Sequence, residues 1–415
     1  METNTENKTE QALLISVDTG DFDAEASIEE LAELAKTAGA DVQGMMIQKR
    51  DTPVGATFVG AGRLAEITDF CRANDTDIII ADGELTPVQV RNIEDETDVR
   101  VVDRTTLILD IFAKRAVSAE GKVQVELAQL KYALPRLSGK GTSLSRLGGG
   151  IGTRGPGETK LETDRRHIRR RIQFLSENLA KMEKRRLAVH QRRNKNGVEA
   201  VAIVGYTNAG KSTLMNRLTN AGVLEEDKLF ATLDPTARKL ILPSGRQVMI
   251  VDTVGLVRRL PHQLVEAFKS TLEEALWADV ILNVCDASSE ECNRHIAVTN
   301  ELLSSLGCDD KPIINVLNKC DLVPDVLDFP LIPSSVHISA KSGYGINTLL
   351  EKIEQAFPET KRRVKLLIPF SQGKIANDLR KYGTVEEEKY TENGLEITAV
   401  AEIAYIDKVK EFIVD

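Results

Sequence analysis

The sequence predicts an α/β protein: a phosphate-loop domain preceded by an N-terminal α/β domain and a basic helical-hairpin arm, and followed by a small C-terminal α/β domain. Three observations carry this. Gly205-Tyr206-Thr207-Asn208-Ala209-Gly210-Lys211-Ser212 reads G-x-x-x-x-G-K-S, set between an apolar run at 201–204 and a helix-like stretch at 214–218. Residues 12–112 alternate short apolar runs with segments of helical periodicity, as a partly parallel sheet with covering helices requires. Leu161, Ile168, Leu175, Met182 and Val189 recur every seven residues, a coiled-coil-like seam along one long helix.

At 415 residues the chain exceeds one domain, and 42% apolar with 28% charged residues is an ordinary globular composition. No uncharged apolar run approaches the roughly 18 residues of a membrane-spanning helix. Residues 1–11 are polar and acidic, a flexible tail unlike a signal peptide. Five Cys without C-x-x-C spacing read as reduced thiols of a cytoplasmic protein, and five dispersed His suggest no zinc site. A net charge of −9 argues against nucleic acid as a partner, but its distribution does not. Residues 160–195 hold 13 Lys/Arg against 4 Asp/Glu, a local +9 that leaves −18 for the remainder.

Within 12–112, strands are expected at 13–17, 42–46, 57–59, 78–81 and 99–102. Ser27 caps a helix over 27–38 that Gly39 ends, and a second helix covers 64–70. Gly60-Ala61-Gly62 reads as a turn. The arm, 113–196, begins with helical periodicity at 123–134, after a helix at 105–112. Residues 144–160 follow with six glycines in seventeen, poorly suited to a regular element. That loop, part of a glycine-rich stretch at 138–160, also holds Arg146, Arg154 and Lys160. It is either a segment that orders against RNA or a hinge. Arg165, Arg166, Arg169, Arg170 and Arg171 continue the charge along the helix, a basic rod for a polyanion or else a solvated face. The phosphate-loop domain spans 198–358. The last unit, 361–415, reads strand (364–369), helix (374–381), strand, strand, with an acidic run at Glu386-Glu387-Glu388 that suits a protein contact better than RNA.

The motifs of residues 198–358 prescribe a chemistry. Glycines let backbone N–H groups converge on phosphate oxygens, and the helix N-terminus adds a favourable field. Gly205, Asn208, Ala209, Gly210, Lys211, Ser212 and Thr213 form this cradle, with Lys211 reaching the β and γ phosphates and Ser212 holding Mg2+. Asp252-Thr253-Val254-Gly255 ends a second apolar run forty residues after Ser212. Asp252 suits the Mg2+ shell and the Gly255 N–H suits the γ phosphate. Thr232 is favoured as the threonine that closes on Mg2+ and γ phosphate, with Thr236 the alternative. Lys211, Thr232 and Gly255 are the catalytic candidates. Asn318-Lys319-Cys320-Asp321 and Ser339-Ala340-Lys341 each follow an apolar run. Asp321 can accept from guanine N1–H and N2–H2, which adenine does not present, Asn318 can tie loops together and Lys319 can cover the ring. Leu256, directly after Gly255, cannot orient a water, so slow intrinsic hydrolysis completed by a partner is expected.

N-K-x-D and S-A-K in this order resemble the base-recognition signatures of translation-factor-class GTPases. Nearly the whole chain resembles the HflX family of ribosome-associated GTPases. The specific matches are 148–158 ahead of Lys160-Leu161-Glu162, Phe230-Ala231-Thr232-Leu233-Asp234-Pro235-Thr236, and Leu260-Pro261-His262. The family more often has Phe where Leu256 stands, which bears only on how the second switch packs. The resemblance implies a cytoplasmic GTPase that uses Mg2+ and binds GTP and GDP. It implies engagement of rRNA of the large ribosomal subunit near the peptidyl-transferase region, and splitting or rescue of stalled ribosomes under stress such as heat. The ribosome-facing parts would be 138–195. Ribosomal-protein contact falls to the C-terminal domain. Some members are credited with ATPase activity, but no second phosphate loop is present. Ribosome assembly or RNA modification, and a non-ribosomal protein switch, are the alternative functions.

Overall fold

In the N-terminal half, strict alternation of side chains puts a parallel sheet between two layers of helices. The computed structural model describes residues 9–137, 160–195, 197–219, 236–253, 255–258, 273–323, 332, 334–358 and 361–414. The chain forms two compact units, Met1–Leu349 and Leu350–Asp415. In the first, β1 (Glu10–Asp18), β2 (Ala40–Lys49), β3 (Ile78–Ala81) and β4 (Arg100–Asp103) lie parallel in the order β2-β1-β3-β4. Helices α1 (Ala24–Ala38), α2 (Ala61–Ala73), α3 (Pro87–Thr97), α4 (Arg104–Arg115) and α5 (Ala119–Arg136) accompany them. Ala12, Leu14, Ile78 and Ile80 share a core with Leu31 and Leu34 of α1 and Ile108 and Phe112 of α4. Their neighbours Leu13, Ile15, Ile79 and Ala81 face the other core, with Ile67 of α2 and Ile93 of α3.

Several local expectations are corrected. Asp23, not Ser27, caps α1: its carboxylate accepts from Ala26 N at 3.0 Å, and Ser27 is buried inside the helix. Residues 57–59 form no strand, because Phe58 has φ 65° and pairs only with Val54 in a tight loop. Gly60 is the N-cap of α2, and Ala61 and Gly62 lie in its first turn. Helix α3 was not foreseen. Its signal, Thr86 and Pro87 with Gln89, is a capping box in which Gln89 N donates to Thr86 Oγ1 and Thr86 N to Gln89 Oε1.

Helix α6 (Lys160–Lys195) packs along α5. Leu175 is buried and Ile168, Ile172, Leu179 and Met182 are half-buried, but Val189 is 46% exposed. A straight helix turns every 3.6 residues, so a seven-residue series drifts by about 20° per heptad and leaves the interface. Arg186 and His190 take the inward places instead. Arg186 reaches Glu120 of α5 at 2.7 Å and Glu273 at 2.5 Å, while His190 Nε2 lies 3.2 Å from Glu274 and its ring stacks on Trp277.

The phosphate-loop half is a six-stranded sheet in the order β10-β9-β8-β5-β7-β6. The strands are β5 (Ala200–Gly205), β6 (Thr236–Ile241), β7 (Gln247–Asp252), β8 (Val280–Asp286), β9 (Ile313–Asn318) and β10 (Val336–His337). All pairs are parallel except β6 with β7. Helices α7 (Lys211–Thr219), α8 (Cys292–Ser305) and α9 (Ile346–Ala356) lie between strands or follow the last one. All five cysteines are free and buried. The second unit holds the antiparallel sheet β11 (Lys361–Ile368), β13 (Gly394–Glu402), β12 (Thr384–Thr391), with Ala376 and Leu379 of α10 (Gly373–Tyr382) in its core. Among the described residues no helix is long and apolar enough to cross a membrane.

Arg186→Ala leaves two half-buried carboxylates without their guanidinium, so thermal unfolding is expected to show a loss of about 2–3 kcal/mol. Arg170→Ala, at an exposed position of the same helix, should stay within about 0.5 kcal/mol.

Candidate nucleotide site

The site begins where β5 ends. That strand is buried along its whole length, as a central parallel strand must be. Its last residue, Gly205, has φ 144°, and a Cβ there would lie 2.1 Å from Val284 O on β8. The chain then loops through Asn208, exposed and left-handed at φ 59°, to Gly210 and into α7. Gly210 has φ 86°, and a Cβ there would meet Asn318 Nδ2 at 2.2 Å. No side chain fits at either position.

Lys211, buried, donates to Tyr206 O at 2.6 Å, folding back over its own loop. Burial pushes its amine down to about 8, against the pull of Asp252. Ser212 Oγ donates to Asp252 Oδ2 at 2.9 Å, which brings the ends of β5–α7 and of β7 together. Thr213 lies half-buried in the first turn of α7. Gly255 is so close that a Cβ on it would lie 2.7 Å from Thr207 Cγ2 and 3.0 Å from Lys211 Nζ. Leu256 is buried, and its backbone is zipped to the loop: its N–H donates to Gly205 O at 3.1 Å and its carbonyl accepts from Thr207 N at 2.8 Å.

The remaining motifs meet the loop from the other side. Asn318 Nδ2 donates to Ala209 O at 2.8 Å, while its Oδ1 accepts from Ala340 N at 2.9 Å. One buried amide thus joins the phosphate loop to the segment at 339–341. Lys319 is left-handed at φ 61°, and its ammonium lies 2.7 Å from Asp286 Oδ2. Asp321 is exposed in a short 3-10 turn. Ser339 is buried and its Oγ accepts from Ser342 N at 3.1 Å, while Lys341 is exposed.

Two residues here escaped the sequence reading. Arg217 on α7 donates to Ala340 O at 3.0 Å and to Lys341 O, clamping that loop from below. Asp286 partners Lys319. It ends β8, and nothing near it in the sequence marks that partner. Thr236 opens β6 and pairs with Asp252 across the ladder. Thr232, Arg146 and Arg154 lie outside the described residues, as does the side chain of Lys160. Arg165 is half-buried, and Arg166, Arg169 and Arg170 are exposed along α6. Arg171 is exposed too, but it forks onto Glu126 of α5 at 2.7 and 2.8 Å.

Comparison with known proteins decides what this cluster belongs to. Family models described as "GTP-binding GTPase N-terminal", "GTP-binding GTPase Middle Region" and "50S ribosome-binding GTPase" match residues 25–113, 115–193 and 200–319. A GTPase HflX of Caldanaerobacter subterraneus is 51% identical over 409 residues, 98% of this chain and 94% of that protein. The chain belongs to the HflX GTPase family. The Escherichia coli member is 40% identical over 391 residues, covering 93% of this chain and 92% of its own. A solved GTP-binding protein, SsGBP with GDP, is similar at 27% identity and a TM-score of 0.48, over 84% of this chain and 98% of that one. As an HflX-family member the chain is a GTPase.

Asn318→Ala removes both buried bridges between loops, so calorimetric titration is expected to show GDP binding weakened about 10- to 100-fold. Phosphate favours the charged form of Lys211, whose amine is depressed in the free protein. Binding should therefore take up protons near pH 8, and affinity should fall as pH rises above about 8, by up to about tenfold per unit. Titrations in buffers of different ionisation enthalpy report that uptake.

Proposed function

We propose that this GTPase binds the large ribosomal subunit and splits or rescues stalled ribosomes, with nucleotide state governing how the basic arm engages rRNA. The observation that carries the reading is the anchoring of α6. The basic helix is fastened at Arg186 and His190 to Glu273, Glu274 and Trp277, which lie downstream in sequence of the Asp252–Gly255 motif. In this reading a change at that motif reaches the arm. The match to a ribosome-binding family model over residues 200–319 agrees with this reading.

In the proposed mechanism the backbone of residues 208–213 cradles the phosphates, and Asp321, with Asn318 and Ser339-Ala340-Lys341 shaping its loop, selects guanine. Lys211 leaves Tyr206 O and places its charge on the β and γ oxygens, where negative charge builds as the γ-phosphoryl group transfers. The Gly255 N–H holds the γ phosphate, and Thr232 closes over it. The hydroxyl of Ser212 and the carboxylate of Asp252, 2.9 Å apart, are a hard-oxygen pair that fits Mg2+, with Thr232 as a further ligand. The ion, when bound, would supply neutralisation of the phosphates' negative charge. Leu256 is buried against the loop and orients no water, so the ribosome completes the site. The setting is the cytoplasm. Arg165, Arg166, Arg169 and Arg170, with Arg146, Arg154 and Lys160, contact rRNA phosphates, while Arg171 also secures α5 through Glu126. The acidic strand β12 suits a basic ribosomal protein.

Sedimentation with ribosomes should show comigration with the large subunit in a GTP analogue but not in GDP, falling steeply with salt. Arg166→Glu with Arg170→Glu should weaken it and flatten the salt dependence by about one unit of log–log slope per lost phosphate contact. Equal comigration in GDP and the analogue, or indifference to these reversals, would sink the proposal.

A further inference from the structure

The backbone just after Gly255 is gripped from two sides. The loop side is the pairing of Leu256 with Gly205 and Thr207 described above. The other side is made by the N-terminal domain, and it falls on Arg258. Arg258 N donates to Glu30 Oε1 at 3.1 Å, and Arg258 O accepts from Arg104 Nη2 at 3.3 Å. Both backbone polar groups of one switch residue are therefore bound by side chains 228 and 154 positions away. The Arg258 guanidinium adds an ion pair to Glu30 Oε2 at 3.2 Å and another to Glu291, the N-cap residue of α8.

Glu30 and Arg104 are themselves held in place. Arg104 Nη2 donates to Glu30 Oε1 at 2.7 Å, and its Nη1 donates to Asp82 Oδ1 at 2.8 Å and Ser27 O at 3.3 Å. Asp82 accepts in turn from Ser16 of β1 at 3.1 Å. Arg104 is 2% exposed and Asp82 is 1% exposed. Ser16, Asp82 and Arg104 sit at the carboxyl ends of β1, β3 and β4, the edge where open parallel α/β sheets commonly bind ligands. Here a switch segment of the same chain occupies that edge. Tyr206, Leu256 and Val257 also share the apolar core of α1 and α4, so the grip includes packing as well as charge.

We propose that Glu30, braced by Arg104, is a positioning residue for GTP hydrolysis. By fixing Arg258 through both its backbone N–H and its guanidinium it holds Gly255 against Thr207 and Lys211, where the Gly255 N–H meets the γ phosphate, and the guanidinium contact is the part that Glu30→Gln and Arg258→Gln each remove. Such a residue touches no nucleotide. It acts on GTP and leaves GDP alone, because only GTP has the phosphate that Gly255 contacts. A carboxylate is required, since one oxygen accepts from both Arg104 and the Arg258 N–H while the other accepts from the Arg258 side chain. An amide offers only one acceptor oxygen.

The test uses the full chain with Glu30→Gln, Arg258→Gln and the double variant, comparing binding of fluorescent GDP with that of a non-hydrolysable fluorescent GTP analogue. Single-turnover hydrolysis and thermal unfolding are followed alongside. Each single variant should bind the GTP analogue about tenfold more weakly while GDP affinity stays within about twofold, and the single-turnover rate should fall. The double variant should be no worse than the more affected single, because both act through one contact. A folded Glu30→Gln protein with an unchanged ratio of GTP-analogue to GDP affinity overturns the proposal, and so does an equal loss of both. If Glu30→Gln does not fold, Arg258→Gln, which leaves the Arg104–Glu30–Asp82 chain intact, decides the question by the same ratio.

Discussion

Binding phosphate through backbone N–H groups requires a loop with little side-chain scaffold of its own to keep one shape, and the Asn318 amide supplies that constraint. Its Nδ2 holds the Ala209 carbonyl and its Oδ1 holds the Ala340 N–H, so the phosphate loop and the base loop are parts of one hydrogen-bonded object. The amide sits where any Gly210 side chain would be, so glycine at that position is set by packing as much as by backbone conformation. Asp252 extends the object through Ser212, and Arg217 extends it under Ala340 and Lys341. A buried polar network of this kind is worth most when every member is satisfied.

From that object two lines run outward. One passes through Leu256 and Arg258 into the N-terminal domain, where the carboxyl edge of the sheet meets the switch segment. The other, further on in the sequence, is the set Glu273, Glu274 and Trp277, which holds the far end of the basic helix. Both lines start at or beyond the Asp252–Gly255 motif, and both end on buried or half-buried charged groups. Such groups are costly to separate and directional in their geometry.

How much of this was legible follows from the range of each interaction. The α/β alternation of residues 12–112 was readable because neighbouring side chains on one strand face opposite cores, a period of two that needs no knowledge of the rest of the chain. The cap of α1 was misplaced by four residues because two acceptors, Asp23 and Ser27, precede the same apolar pattern. The capping box of α3 was written in the sequence and went unread. Val189 was assigned to the seam by its spacing, but an unsupercoiled helix carries a strict heptad off the interface and brings Arg186 and His190 in.

The sequence alone determined the GTPase loops, the family and the class of fold. Those signals are contiguous: a motif that binds through its own backbone, or a strand buried along its whole length, is complete within a dozen residues. Only the tertiary structure decided that Lys319 leans on Asp286, that Arg186 bridges two carboxylates and that Arg258 is held by Glu30 and Arg104. Each of these joins charged residues that look like ordinary surface residues where they stand in the chain. Their burial and pairing arise only when segments far apart in sequence are packed together, and no local period records which charge meets which.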